Sequence, residues 1–223
     1  MRNPIRNVSD LTQFQVNRKD QLEVIRQSLY DFQAYAAAGV AQQVFFTTPA
    51  GTAAKTRAST NMTLAGQLPA PQRFLVQAIE VYFFPGSQPG VGPVADAIDS
   101  FVNDVWRFYA NGDGAGVFNP AFLQLFIGSK AYLEEAPLIR FPPFGRLDGF
   151  AASSTSTTLA AALFTRTSYA TAAGRPYIVD PPVLLEPTQN FNVSLNWPVT
   201  VQAVTTLARV GVVMDGVIVR NSQ

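Results

Sequence analysis

RFLVQAIEVYFF, residues 73–84, is the stretch on which the fold turns. Phe74, Val76 and Ala78 alternate with Gln77 and Glu80, and the run is rich in β-branched and aromatic residues, so it predicts a strand. Its far end is punctuated by Pro85-Gly86, Pro89-Gly90 and Gly92-Pro93, a glycine/proline loop that no helix or strand crosses easily.

Working outward toward the C-terminus, short β-like runs recur. They are Phe122 to Ile127, Ala131 to Glu134, Leu138 to Phe141, Leu159 to Arg166, Tyr177 to Val179, Val183 to Glu186 and Phe191 to Trp197. Breaks at Pro142-Pro143, Gly174, Pro181-Pro182, Pro187 and Pro198 separate many of them. The last run, Ala208 to Arg220, reads either as a hairpin with a type I′ turn at Asp215-Gly216 or as one long strand with a bulge at the glycine. On the N-terminal side, Val44 to Thr48 is a further β run, closed by Pro49-Ala50-Gly51. Eight or more short strands with so little helix predict an all-β protein, an antiparallel β-sandwich of jelly-roll type.

Two segments interrupt this grammar. From Asp20, the residues Leu22, Ile25, Leu29, Phe32 and Ala36 recur three or four positions apart up to Gly39. Asp20 suits an N-cap, Glu23 completes a near capping box and Gly39 suits a C′ stop, so the spacing predicts an amphipathic helix over 20–38. Leu22, Ile25, Leu29 and Phe32 form its apolar stripe, which serves either the subunit's own core or an assembly interface with a neighbouring subunit or a membrane surface. Val94, Ile98, Phe101, Val102, Val105, Trp106 and Tyr109 share a second helical face, predicting a short helix inserted over 94–109. The organisation expected is an N-terminal arm and helix over 1–40 and a β-sandwich domain over 41–223.

Charge is scarce and unevenly placed. Nine of the 31 charged side chains lie in the first forty residues, leaving 22 for the other 183. None occurs between Asp148 and Arg166 or between Glu186 and Arg209. Surfaces that meet water usually keep charge, whereas subunit interfaces deplete it, so the body of the chain reads as surrounded by neighbours. A net charge of +1 offers no field for nucleic acid, and no sequence-specific nucleic-acid partner is expected. Met1 to Asp20 is polar and lacks the apolar core of a secretory signal, and no long uncharged apolar run predicts a membrane-spanning helix.

The residues of common catalytic chemistry are thin on the ground. The chain has no histidine and no cysteine, which removes the usual general base, the standard triad, thiol nucleophiles and most zinc sites. Lys19, Lys55 and Lys130 are the only lysines, and none stands in a Ser-x-x-Lys arrangement. The one adjacent carboxylate pair, Glu134-Glu135, would point to opposite faces of a strand. Gly112-Asp113-Gly114-Ala115-Gly116 lacks a P-loop lysine and enough carboxylates for calcium, and reads as a plain loop. Asn7, Asn61 and Asn192 stand in glycosylation-type triplets, discounted without a secretory signal. Trp106 and Trp197 could stack a sugar, although aromatics in strand patterns usually fill a core. The chain is therefore not expected to be an enzyme, and no cofactor or metal is expected.

Three blocks carry a resemblance. They run from Thr60-Asn-Met-Thr-Leu-Ala-Gly-Gln-Leu-Pro through Arg73 to Phe84-Pro85-Gly86, from Pro181-Pro182 through Asn190-Phe191 to Trp197-Pro198, and from Val210 to Arg220. In their extended strand before a Pro-Gly loop, their Pro-rich entry into an Asn-Phe strand and their terminal β run, they resemble the jelly-roll coat proteins of tailless icosahedral bacteriophages. The resemblance implies a capsid protein: an upright single jelly roll, a structural virion subunit forming trimers or pseudo-hexameric capsomers of an icosahedral shell. Its partners would be copies of itself and other virion proteins, with the N-terminal arm touching a neighbour or a membrane. Its location would be the virion, assembled in the host cytoplasm. The competing expectation is a non-catalytic carbohydrate- or receptor-binding β-sandwich module.

Overall fold

In the computed structural model, which describes residues 22–84, 113–154, 164–198 and 208–221, the deciding stretch is a strand over the predicted span. The strands are β1 (Leu22–Tyr35), β2 (Gln42–Phe45), β3 (Arg73–Phe84), β4 (Phe122–Ile127), β5 (Lys130–Glu135), β6 (Gly145–Ser154), β7 (Phe164–Ala173), β8 (Tyr177–Leu185), β9 (Phe191–Asn196) and β10 (Ala208–Asn221). Eight of them form two four-stranded antiparallel sheets, ordered β1-β10-β3-β8 and β2-β9-β4-β5. The remaining two, β6 and β7, pair with each other as a separate ribbon. One core joins the two large sheets: Phe74, Ile79 and Val212 from the first meet Phe45, Leu123 and Val193 from the second. The architecture is an all-β sandwich.

The expected helix over 20–38 is overturned. Leu22–Tyr35 is a strand that pairs with β10 along all fourteen residues, so the sandwich takes in this segment ahead of the expected start at 41. The physical reason is that both faces of β1 carry apolar groups. Leu29 and Tyr35 enter the core on one side, while Tyr30 and Phe32 join an aromatic cluster on the other. Apolar side chains on both faces blur the two-residue period and leave a spacing that mimics a helical stripe. The arm over 1–18 and the helix expected over 94–109 lie outside the described residues.

Smaller departures have local causes. Leu138–Arg140 is a 3-10 turn rather than a strand, with Leu138 and the following Phe141 buried on the core side. Residues 113–118, expected to begin in a plain loop, form the short helix α1 (Asp113–Phe118). Asp215-Gly216 lies inside one continuous strand, which settles the choice left open by the sequence. The irregularity belongs to its neighbour: Asp215 pairs with Ala78 and Gly216 with Val76, leaving Gln77 of β3 as the extra residue. At this bulge the backbones come so close that a Cβ on Gly216 would sit 1.9 Å from the Leu75 carbonyl oxygen, which explains the glycine.

Pro181 and Pro182 do not split their segment into two strands; both lie within β8, at the sheet edge. Val76 faces Val183 and Ala78 faces Ile178, so residues 179–182 loop out of the ladder where proline has no N–H to give. The other edges are also obstructed. The edge of β1 is covered by the 56–61 segment, where Phe32 N–H donates to the Ser59 carbonyl at 2.7 Å and the Asn61 amide bridges Tyr30 N–H and the Ser28 carbonyl. β2 has four residues. Gln33 Nε2 donates to the Val44 carbonyl and Gln43 Nε2 to the Ala34 carbonyl, both at 2.6 Å, tying the two sheets together beside it. β5 carries Lys130, Glu134 and a register shift. Such devices keep sheet edges from pairing with foreign strands.

Candidate functional site

The outward face of the first sheet concentrates the described residues that are least easily explained by packing within the sandwich. Three bands follow one another along β3 and β10. At one end Leu75, Val217 and Val219 bury one another, with Val24 and Leu184 packed against them. In the middle stand two carboxyl groups, Glu80 and Asp215. At the other end Tyr30, Phe32, Tyr82 and Phe84 gather around Gly211.

The aromatic band is built on that glycine. Gly211 pairs directly with Phe32, and a Cβ there would lie 2.0 Å from the Phe32 ring, so the ring rests on bare backbone. Tyr82 and Phe84 lie with their centroids 6.1 and 6.0 Å from that of Phe32. The Arg209 guanidinium sits over the same ring at 4.5 Å and donates to the Ala58 carbonyl at 2.6 Å. All four rings are half-buried.

The acidic band holds a buried carboxyl group. Glu80 Oε2 accepts from the Tyr82 hydroxyl at 2.7 Å and from the Phe144 N–H at 2.8 Å, and its carboxyl group is hydrogen-bonded to Asp215. Burial pushes the Glu80 pKa above its ordinary 4.5, against the pull of its two donors, and Asp215 pushes it further up. Because the folded value is raised, Glu80 favours folding fully below its ordinary pKa. That contribution is lost as pH rises through the folded value. Glu80→Gln keeps an acceptor for both donors and a donor for Asp215. We expect thermal unfolding of Glu80→Gln to be flatter than wild type from pH 4.5 upward, with the variant the more stable at neutral pH. Glu80→Ala should instead lose about 1–3 kcal/mol by stranding the Phe144 N–H and the Tyr82 hydroxyl. Parallel pH profiles for the two variants would expose an error in this account.

The structure disperses the predicted stripe. Leu29 is buried in the core, and Ile25 pairs with Ile218 and is half-buried. Phe32 lies on the opposite face, in the aromatic band, and Leu22 pairs with Asn221. A 3-4-3 spacing puts residues on one side of a helix but on both sides of a strand. Sequence reading also missed Glu80 and Asp215 as a pair, since 135 positions separate them; the signal present was a glutamate in the middle of a strongly apolar strand.

Other sequence candidates find partners of their own. Glu134 accepts from Gln124 at 2.7 Å, while Glu135 accepts from the Tyr177 hydroxyl at 3.0 Å and pairs with Arg140, so the two carboxylates do not converge. Trp197 is 2% exposed and donates through Nε1 to the Val117 carbonyl, which excludes it as an open sugar platform. Trp106 lies outside the described residues. The Asn61 amide is committed to the edge of β1, and Asn192 is half-buried in β9. Among the described residues no cluster of three or more Asp or Glu could hold a metal ion, and no helix is long and apolar enough to cross a membrane. No protein-family model matches the chain, and no curated protein or solved structure matches it.

Proposed function

We propose that this chain is a coat subunit, a single jelly roll whose copies assemble into trimers or capsomers of an icosahedral shell. The observation that carries the reading is the strand order. Taking the eight sandwich strands in sequence, the first, eighth, third and sixth make one sheet and the second, seventh, fourth and fifth make the other. That order follows from folding one long antiparallel ribbon over on itself, with β1 against β10, β2 against β9 and β3 against β8, and it supports a jelly roll with β6–β7 inserted between its fifth and sixth strands. Shells are one use of this fold and lectins another, so the charge-poor body carries the choice between them.

The outward aromatic band suits this role, because side chains that are half-buried in one subunit are available to the next. Phe32 is the member of the predicted stripe that lies in this band; Leu29 lies on the other face of β1, in the core. The partners would be copies of the chain and other virion proteins, the arm over 1–18 would reach a neighbour or a membrane, and the place of action would be the virion assembled in host cytoplasm. A second reading draws on the same band. Four aromatic rings beside an arginine could receive a carbohydrate or receptor ligand on a non-catalytic binding module.

Size-exclusion chromatography with light scattering, followed by electron microscopy, separates the two. Trimers, capsomers or closed particles are the expected result. A monomer at tens of micromolar that binds a glycan array would replace the coat reading with the binding module.

A further inference from the structure

We propose that the β6–β7 ribbon pairs edge to edge, through β7, with the β7 of a second copy of this chain about a two-fold axis, so that two ribbons make one four-stranded sheet between subunits. The inference rests on the coat reading for the identity of the partner as another copy.

The ribbon is long and alone. Its register runs from Gly145↔Ala173 to Ser154↔Phe164, ten pairs, and among the described residues no third strand joins it. An isolated two-stranded hairpin is marginal in water; it gains stability when more strands or a packed face are added. Its root, by contrast, is firmly fixed. Val81 N–H donates to the Phe141 carbonyl at 2.9 Å, Phe144 N–H to Glu80, and Gly174 N–H to the Phe144 carbonyl at 3.0 Å. Gly174 lies so close to Pro143 that a Cβ would meet its carbonyl oxygen at 2.4 Å. A ribbon held this tightly at one end presents its edges in a defined place.

Among the described residues, those edges lack the protection found elsewhere. Every edge of the two large sheets is covered, shortened, charged or interrupted by proline, whereas β6 and β7 contain no proline and no lysine. Residues 149–165 carry no charge. Of the two edges β7 is the better template, because it has no glycine and carries Thr165, Thr167, Tyr169 and Thr171, while β6 contains Gly145, Asp148 and Gly149. Strand edges with little charge and no proline to interrupt them are the ones that pair with other chains.

A copy of the same strand fits without conflict. In an antiparallel two-fold pair a residue lies opposite itself at the axis. Centring on Ser168 pairs residues 164–172 and sets Arg166, the single charge of β7, across from the partner's Ala170. Centring on Tyr169 sets it across from the partner's Ala172. Neither register opposes like charges.

The absence of cysteine makes the test direct. Ser168→Cys and Tyr169→Cys, introduced singly, place two thiols across the axis, where opposed strand residues lie about 4.5–5.5 Å apart between Cα atoms, within disulfide reach. Mild oxidation of the assembled full-length protein should convert most of the chain to a covalent dimer on a non-reducing gel for at least one of the two. Leu64→Cys, exposed and outside the ribbon, should stay largely uncrosslinked. As a second probe, replacing residues 147–171 by a two-residue turn should leave a folded sandwich of lower oligomeric order. If the wild-type protein assembles but neither thiol crosslinks and the shortened chain assembles as before, the ribbon pairing is wrong and the coat reading stands. If the wild-type protein is a monomer throughout, both fall.

Discussion

Asp31→Ala is expected to remove about 3–5 kcal/mol of stability, the loss typical of breaking a buried ion pair. In melting temperature that is a fall of roughly 6–20 °C for a chain of this length. Asp31 is fully buried on the inward face of β1. Its Oδ1 takes the Lys55 ammonium at 2.5 Å, and its Oδ2 takes the Phe46 N–H at 2.6 Å, with Gln33 Nε2 more distant at 3.4 Å. Truncation leaves an amide and a nearly buried ammonium without their acceptor. It also releases Phe46 from a φ of 68°, a left-handed conformation that a bulky residue adopts only when held there. Asp31→Asn keeps an acceptor for Phe46 and should lose less. Replacing the pair together, as Asp31→Leu with Lys55→Met, should recover part of the loss because no buried charge then stands alone. Denaturant titration of the four proteins measures the series. A loss below about 1 kcal/mol for Asp31→Ala would show that the pair is dispensable.

Trp197→Ala should be of similar size, about 3–5 kcal/mol, as for other buried large-to-small aromatic replacements. The indole lies 5.5 Å from Tyr35, nearly edge to face, and joins the end of β9 to β1 across the core. Its Nε1–H donates to the Val117 carbonyl at 2.8 Å and so fastens α1 to the sandwich. Trp197→Phe keeps most of the packing but not the donor, and should cost about 1 kcal/mol. The effect of Trp197→Ala should be on unfolding, with glycan binding, if any, unchanged when measured below the variant's melting temperature. Loss of glycan binding with stability intact would return Trp197 to the role of a platform.

Strands were legible where one physical cause dominated. β3 and β10 could be read because uninterrupted β-branched and aromatic residues have few other uses, and β4, β9 and β5 because short runs were bounded by turn residues. β1 was not legible, because Asp31 points into the core while Tyr30 and Phe32 point away from it. Its polar-apolar order therefore contradicts its burial, and only the density of Val24, Ile25, Tyr30, Phe32 and Tyr35 hinted at a strand. β6 was missed because glycine, alanine and serine carry little strand signal, and its pairing depends on β7, a separate stretch of the sequence. The predicted stripe was half legible: its side chains do pack, but on two faces. The Glu80–Asp215 pair and the Asp31–Lys55 pair depend on contacts between distant segments, which no local spacing encodes.

The ladder between β1 and β10 bears on how the chain is made. Leu22 meets Asn221 and Tyr35 meets Ala208, so β10, an inner strand of the first sheet, is synthesised after both of its neighbours, β1 and β3. At about 5–20 residues per second, roughly 9–35 s separate the synthesis of β1 from that of β10. Throughout that interval β1 and β3 each lack the neighbour that will cover one edge, and native pairing must then close the long loop between Tyr35 and Ala208, which makes folding slow. The sandwich is therefore completed only once β10 has left the ribosome. Nascent chains on one message stand close together during that wait, exposed to strand exchange with one another, and a holding chaperone should bind them most strongly before β10 appears.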